Sequence, residues 1–302
     1  MTALFAGIDA GTLAGTAPGR RAGLAVTWDH ENGAARQDEP VLFDTSVAHC
    51  ARVYDYWLGG KDNFAADREA AEQAIRDCPE IVPTARANRG FLARIVRFLA
   101  ADAGIRQFLD IGTGIPTENN THEVAQAIAP GSRVVYVDND PLILVHARAL
   151  LASHPDGATA YEEADLRDPG RILELAAGLL DFSQPVALLL LAILHHVDDE
   201  DDPHKIVATL VNALPPGSYL VVSHPASDIG SEAAARNAAR MAQNLNEIMA
   251  EKITARDRAT VARFFDGLEF VEPGLVRVSD WRPPAGSDAG YPAAIWAGAA
   301  RK

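Results

Sequence analysis

Cysteine is scarce: Cys50 and Cys78 are the only two among 302 residues. Two thiols supply neither a disulfide scaffold nor the four ligands of a cysteine-built zinc cluster, and so sparing a use fits a reducing compartment. Long apolar runs are also missing. The longest, Pro185 to Leu194, is about half of the ~20 residues that a membrane-spanning helix requires, and it reads as a buried strand. Positive charge is short as well, with Lys plus Arg at 27 against Asp plus Glu at 41, a net charge of −14. Such a balance argues against a surface built to neutralise nucleic-acid phosphates or to lie on anionic lipid, so duplex DNA and membranes are not expected partners, and small molecules are. The first twenty residues have no basic stretch ahead of their apolar ones, since Arg20 and Arg21 come afterwards. A secretory leader is therefore not expected, and the expected location is cytoplasmic.

What is present is an ordinary globular composition, 48% hydrophobic and 23% charged, in a chain large enough to bury a sizeable core. Residues 1–42 are rich in Gly and Ala and show no sustained period of 2 or 3.6, which predicts a flexible extension. The run Ala65–Asp77 consists of strong helix formers and stops before Pro79. A second helix is expected after Pro83, where Phe91, Ile95 and Leu99, flanked by Leu92 and Val96, form an apolar stripe that ends at Gly104. Residues 43–104 thus read as a helical segment ahead of the main core at 105–302.

From Arg106 onward short apolar runs alternate with helical patterns, the mark of an α/β fold with a parallel sheet covered on both faces. Strands are expected near 106–111, 133–138, 159–163, 186–193, 218–223, 269–276 and 293–299. Asp140 before Pro141 and Asp202 before Pro203 are expected helix caps. Ser231–Ala250 reads as one long helix with another after Thr254, more helix than a crossover needs and suited to covering an active site.

The chemistry concentrates at the strand tips. Phe108 to Gly114 is an apolar strand that delivers Asp110 into a turn containing Gly112 and Gly114, where glycine permits close approach of a ligand. The next strand ends in Asp138, followed by Asn139, at the place from which a carboxylate reaches ribose hydroxyls. Together they predict an adenosine-containing ligand. Thr117 replaces the third glycine of a dinucleotide fingerprint, and Asp110 would repel a pyrophosphate but attract a sulfonium. That favours S-adenosylmethionine over NAD. Gly59-Gly60-Lys61-Asp62 fails as a nucleotide-triphosphate loop because Asp62 stands where a hydroxyl is required.

These residues resemble the class I S-adenosylmethionine-dependent methyltransferases, and within them an actinobacterial group catalogued as a domain of unknown function. The resemblance rests on Arg52-Val53-Tyr54-Asp55-Tyr56-Trp57-Leu58-Gly59-Gly60-Lys61-Asp62-Asn63-Phe64, then Asp67-Arg68, then Asp110-Ile111-Gly112-Thr113-Gly114, and covers about residues 43 to 300. It implies a Rossmann-like fold whose seven-stranded, mostly parallel sheet has its last strand antiparallel, with S-adenosylmethionine as cofactor. Tyr54, Tyr56 and Phe64, with the bend at Gly59-Gly60 and the amide of Asn63, are then expected in a lid over the cofactor, where an aromatic face contributes ~0.5–2 kcal/mol to a nearby sulfonium. Packing of those aromatics against the core is the plain alternative. Methyltransferases place a carboxylate for the adenine amino group at the end of the third strand; Asp165 is expected to fill that role with the neighbouring amide of Leu166, or else to cap the turn before Asp168.

The fourth strand ends through Ala192 into His195 and His196, and His224 ends the fifth. Near-neutral imidazoles suit proton removal from an acceptor, and alternation along a strand predicts that only one of His195 and His196 faces it. Structural hydrogen bonding to loop carbonyls is the competing expectation for each. No metal site is assigned, because adjacent histidines seldom share a tetrahedral ion and the acidic run Asp198–Asp202 reads as a solvated helix entrance. The sequence thus predicts a methyltransferase with an unidentified, small-molecule acceptor. A noncatalytic cofactor-binding regulator is the second reading and an NAD-dependent oxidoreductase the third.

Overall fold

The computed structural model describes residues 27–28, 35–36, 44–140, 143, 153–249, 251–284 and 293–302. The chain forms two compact units, Met1–Phe43 and Asp44–Lys302. In the first, Thr27–Trp28 pairs antiparallel with Ala35–Arg36; the rest of the expected extension lies outside the described residues.

The second unit begins with three helices, α1 (Cys50–Leu58), α2 (Ala65–Asp77) and α3 (Ile81–Ala101). α3 starts ahead of Pro83, because a first-turn residue has no intrahelical N–H bond to lose. Its stripe of Phe91, Ile95 and Leu99 is buried, as the periodicity predicts. The remaining elements are β1 (Gln107–Ile111), α4 (Thr121–Ile128), β2 (Arg133–Asp138), β3 (Ala158–Glu163), α5 (Pro169–Ala176), β4 (Ala187–Leu191) and α6 (Pro203–Ala213). After them come β5 (Tyr219–Pro225), α7 (Glu232–Ile248), α8 (Arg258–Ala262), β6 (Glu269–Phe270), β7 (Val276–Arg277) and β8 (Ile295–Arg301).

The sheet order is β3-β2-β1-β4-β5-β8-β6, with β7 also paired to β8. β1 to β5 run parallel, and β8 lies antiparallel to β5. The expected sixth strand over 269–276 is broken into β6 and β7 by a turn in which Gly274 has φ +86°, the left-handed region where glycine is unstrained. Alternate residues serve the two faces: Leu109, Val135, Leu188 and Val222 pack with the α5–α6 layer, while Phe108, Val134, Leu189 and Val221 pack with the α3 stripe and Trp281. Strand order reverses between β1 and β4, and a parallel sheet opens its ligand crevice beyond the carboxyl ends at that point.

Asp202 caps α6 as expected, accepting from the Lys205 amide at 3.1 Å. The helix expected at Asp140-Pro141 lies largely outside the described residues. α7, capped by Ser231, is the surplus helix of the sequence, and its Met241 and Leu245 pack on Val53, Trp57, Ala70 and Ala74 of α1 and α2. The chain after α7 returns over the strand tips, where the Thr254 amide donates to the His195 carbonyl at 2.8 Å. Among the described residues no helix is long and apolar enough to cross a membrane.

Candidate cofactor and active site

The tips of β1 and β2 are tied together by Asp138. One of its carboxylate oxygens accepts from the Gly114 amide at 3.0 Å and the other from the Asp140 amide at 3.1 Å, and the residue is 8% exposed. Asp110 is equally buried and accepts from the Thr121 hydroxyl at 2.6 Å. The two glycines between them do different work. Gly112 (φ +74°) has the Ile193 side chain where a Cβ would sit, so it lets the β4 loop close onto β1, whereas Gly114 (φ +64°) has open space there. Space is thus open beside Gly114 and filled by packing beside Gly112.

Two cavities open on this loop. The larger, about 440 Å³, is lined by Ile111, Gly112, Val137, Asp138, Asn139, Asp165, Leu166, Ile193 and His196, with Cys50 and Glu251 closing it. The smaller, about 270 Å³, is lined by Arg89, Asp110, Thr113, Gly114, Asn120, Thr121, Tyr136 and Tyr161. Asp110 and Asp138 therefore serve neighbouring cavities on one loop. Burial raises both carboxyls to about 6; for Asp110 the Thr121 hydrogen bond opposes the rise, and for Asp138 the Gly114 and Asp140 amides do.

A cationic ligand held by these carboxylates would bind their ionised form, so its affinity is expected to climb as pH passes 6, with a proton released on binding below that. S-adenosylmethionine is expected to bind about tenfold more weakly at pH 5 than at pH 7.5 for one such carboxyl, with proton release visible as a buffer-dependent calorimetric enthalpy. A pH-independent affinity across that range would remove the electrostatic role assigned to them.

Asp165 stands just past the end of β3 on the cleft side. It lines the larger cleft, and its carboxylate also accepts from the Arg167 amide at 2.8 Å and faces the Arg167 guanidinium at 3.3 Å. Ala192 does not join either lining. It ends β4 with φ +51°, a conformation that non-glycine residues rarely adopt, and its amide bonds to Ser223 Oγ at 3.0 Å. This turn stops the strand at Leu191, short of the expected 193.

The histidines stand otherwise than strand alternation predicts. His195 and His196 share a 3₁₀ turn, Leu194–His196, and their rings lie 3.9 Å apart on one side. His196 Nδ1 lies 3.0 Å from the Lys252 carbonyl and so carries the proton, leaving Nε2 as the acceptor atom of a residue that lines the cleft. Burial holds it neutral by lowering its pKa. His195 is buried, with Nδ1 lacking a partner, and burial likewise lowers its pKa. His224 is fully buried between the Pro225 carbonyl at Nδ1 and the Arg256 guanidinium at Nε2, each 2.9 Å away. Burial holds it at about 4. With both nitrogens occupied, His224 has no atom left to take a proton from an acceptor, which corrects the expectation of a catalytic role.

The aromatic and glycine signature is tied up within the helices. Asp67, with no exposed surface, accepts from Arg52 Nε at 3.0 Å and from the His49 and Phe64 amides at 2.9 and 2.8 Å. Asp55 accepts from the Asp62 amide at 3.0 Å and from Asn63 Nδ2 at 2.9 Å, and a Cβ on Gly60 would strike its carboxylate. Gly59 ends α1 at φ +87°. The Tyr56 hydroxyl donates to Glu72 at 3.2 Å in an exposed position, and the Tyr54 hydroxyl donates to the Ala85 carbonyl at 3.0 Å. Tyr54, Tyr56, Gly59, Gly60, Asn63 and Phe64 line neither of these two cavities, and the bonds they make here lie within the helical segment. Tyr54 does reach the site through a relay, Asn88 to its hydroxyl at 3.1 Å and Ser223 to Asn88 at 2.7 Å.

Sequence reasoning missed the residues that this segment actually sends to the cleft. His49 caps α1, Cys50 opens it, and Glu251 follows α7; His49 Nε2 lies 3.1 Å from Glu251 Oε1. Arg89 of α3 was missed too, a guanidinium in the smaller cavity bonded to Asn120 Oδ1 at 2.8 Å. No motif joins positions so distant in sequence.

A mostly parallel sheet in this order, with its last long strand antiparallel, is a Rossmann-like architecture. Residues 36–302 match the profile of the S-adenosyl methyltransferase family. The chain belongs to that family and is an S-adenosylmethionine-dependent methyltransferase. It resembles a solved structure of a DUF574 family protein from Streptomyces avermitilis, at 47% identity over 86% of this chain and 99% of that one, with a TM-score of 0.81. It also resembles a putative methyltransferase from Thermobifida fusca, at 43% identity over 86% of this chain and 96% of the other, with a TM-score of 0.78. No match is found among curated proteins. Membership sets aside the nicotinamide reading.

Proposed function

We propose that the larger cleft takes the adenosine half of S-adenosylmethionine and that the methyl group passes to a small-molecule acceptor entering between the β4 tip and the chain after α7. The observation that carries this reading is Asp138, a buried carboxylate at the second strand tip, held by two amides, raised by burial and facing the cleft beyond the carboxyl ends of the strands. Its oxygens suit the two ribose hydroxyls. Ile111, Val137, Leu166 and Val197 suit the adenine faces, with Asp165 and the Leu166 amide for its edge. The amino-acid end fits Asp110, Gly114 and Arg89, whose charges complement an ammonium and a carboxylate.

The cofactor supplies a methyl group already activated on sulfonium, so alignment and exclusion of water are what the protein must provide. His196 Nε2 is the residue atom suited to accept an acceptor proton, and α1 with the end of α7 forms the rim that limits water. An acidic rim and the net charge of −14 favour a small neutral or cationic acceptor over nucleic acid. Calorimetry is expected to show binding of S-adenosylmethionine and S-adenosylhomocysteine but not NAD, and labelled methyl should appear on at least one member of a panel of amines, thiols and phenols. Binding of NAD with none of S-adenosylmethionine would overturn the reading.

A further inference from the structure

We infer that His49, Cys50 and Glu251 form a metal centre for a zinc-class divalent cation at the rim of the cleft. One donor atom from each residue lies within 4.8 Å of the others, with His49 Nε2 and Glu251 Oε1 3.1 Å apart. That spacing is what two ligands about 2.0–2.2 Å from one tetrahedral ion require. The Glu251 carboxylate faces both His49 and the Cys50 thiol. On the far side of the ring, His49 Nδ1 accepts from the Ala51 amide at 3.3 Å, which fixes the ring at the α1 cap, and lies 3.3 Å from Asp140, a carboxylate 5% exposed.

The donors sit on fixed elements. The His49 amide is bonded to Asp67 at 2.9 Å, Cys50 begins α1, and Ala48 pairs with Met249 immediately before the Glu251 turn. The donor set of nitrogen, sulfur and carboxylate oxygen suits zinc and not magnesium or calcium, which take oxygen. Three protein ligands leave a fourth position, as in catalytic zinc sites. Since Cys50 and Glu251 line the cleft, that position faces it and would hold water or an acceptor thiol or hydroxyl as its anion; this last assignment rests on the methyl-transfer reading.

The test uses the tag-free full chain stripped with chelator. Zinc titrated against a chromophoric chelator is expected to bind with one equivalent at ~1 µM or tighter, and cobalt to give a near-ultraviolet thiolate charge-transfer band that a small thiol such as 2-mercaptoethanol shifts. Cys50→Ser should abolish the band, and Glu251→Gln should weaken zinc at least about 100-fold. Absence of stoichiometric zinc, a band that survives in Cys50→Ser, or equal affinity in all variants would overturn the centre. S-adenosylmethionine titrated in parallel separates the two readings. Cofactor binding without metal defeats only the centre, and metal binding without cofactor defeats only the methyl-transfer assignment.

Discussion

Asp138→Ala is expected to weaken S-adenosylmethionine about 100- to 10,000-fold by calorimetry, because hydrogen bonds to a charged group contribute ~1.5–3 kcal/mol each and ribose offers two hydroxyls. The same change frees the Gly114 amide that the carboxylate holds at 3.0 Å, so the glycine turn loses its anchor as well. Folding should not suffer in proportion. The carboxyl titrates at about 6 in the fold against 3.8 ordinarily. A raised acid favours the fold below 3.8, and that contribution is lost as pH rises through 6, so at pH 7.5 the ionised group is a burden that alanine removes. The variant without ligand should melt no lower than wild type at pH 7.5, and S-adenosylmethionine should raise the melting temperature of wild type more at pH 7.5 than at pH 5.5. Asp138→Asn keeps the shape and removes the charge. If it binds as Asp138→Ala does, charge carries the effect. An affinity within threefold of wild type in Asp138→Ala would leave the ribose assignment without support.

Most of the sheet was readable because β1, β2, β4 and β5 alternate apolar residues between two buried faces, a pattern that depends on the local chain alone. The glycine turn and Asp138 followed from strand position. The errors have physical sources. Alternation was extended through His195 and His196 because nothing local announced the left-handed Ala192 that ends β4. The signature at 52–64 was read for its aromatic faces, whereas its acids and glycines satisfy one another: Asp55 needs Gly60 beside it and Asp67 needs Arg52. His49 and Glu251 meet only because α7 packs on α1 and α2, and long-range packing of this kind leaves no periodicity in either segment.

Arg52→Ala is expected to be the most damaging single change outside the cleft. Asp67 is fully buried, and without the guanidinium at 3.0 Å only the His49 and Phe64 amides and their surroundings compensate its charge. Breaking a buried pair by removing one partner costs ~3–5 kcal/mol, which for a chain of this size is a fall in melting temperature on the order of 10 °C. The damage should spread to the site, since Asp67 fixes the amide of His49 and Cys50 follows directly. Tyr56→Ala supplies the contrast. Its hydroxyl makes one exposed bond to Glu72 and its half-buried ring packs at the edge of the α1–α2–α7 cluster, so the melting temperature should fall by only a few degrees, on the order of 3 °C, and cofactor affinity by less than about twofold. Thermal melts with calorimetry on the two variants decide between a latch and a lid. A stable Tyr56→Ala protein that has lost S-adenosylmethionine binding would show that the aromatic segment closes over the cofactor, and the reading of 52–64 as a structural latch would fall.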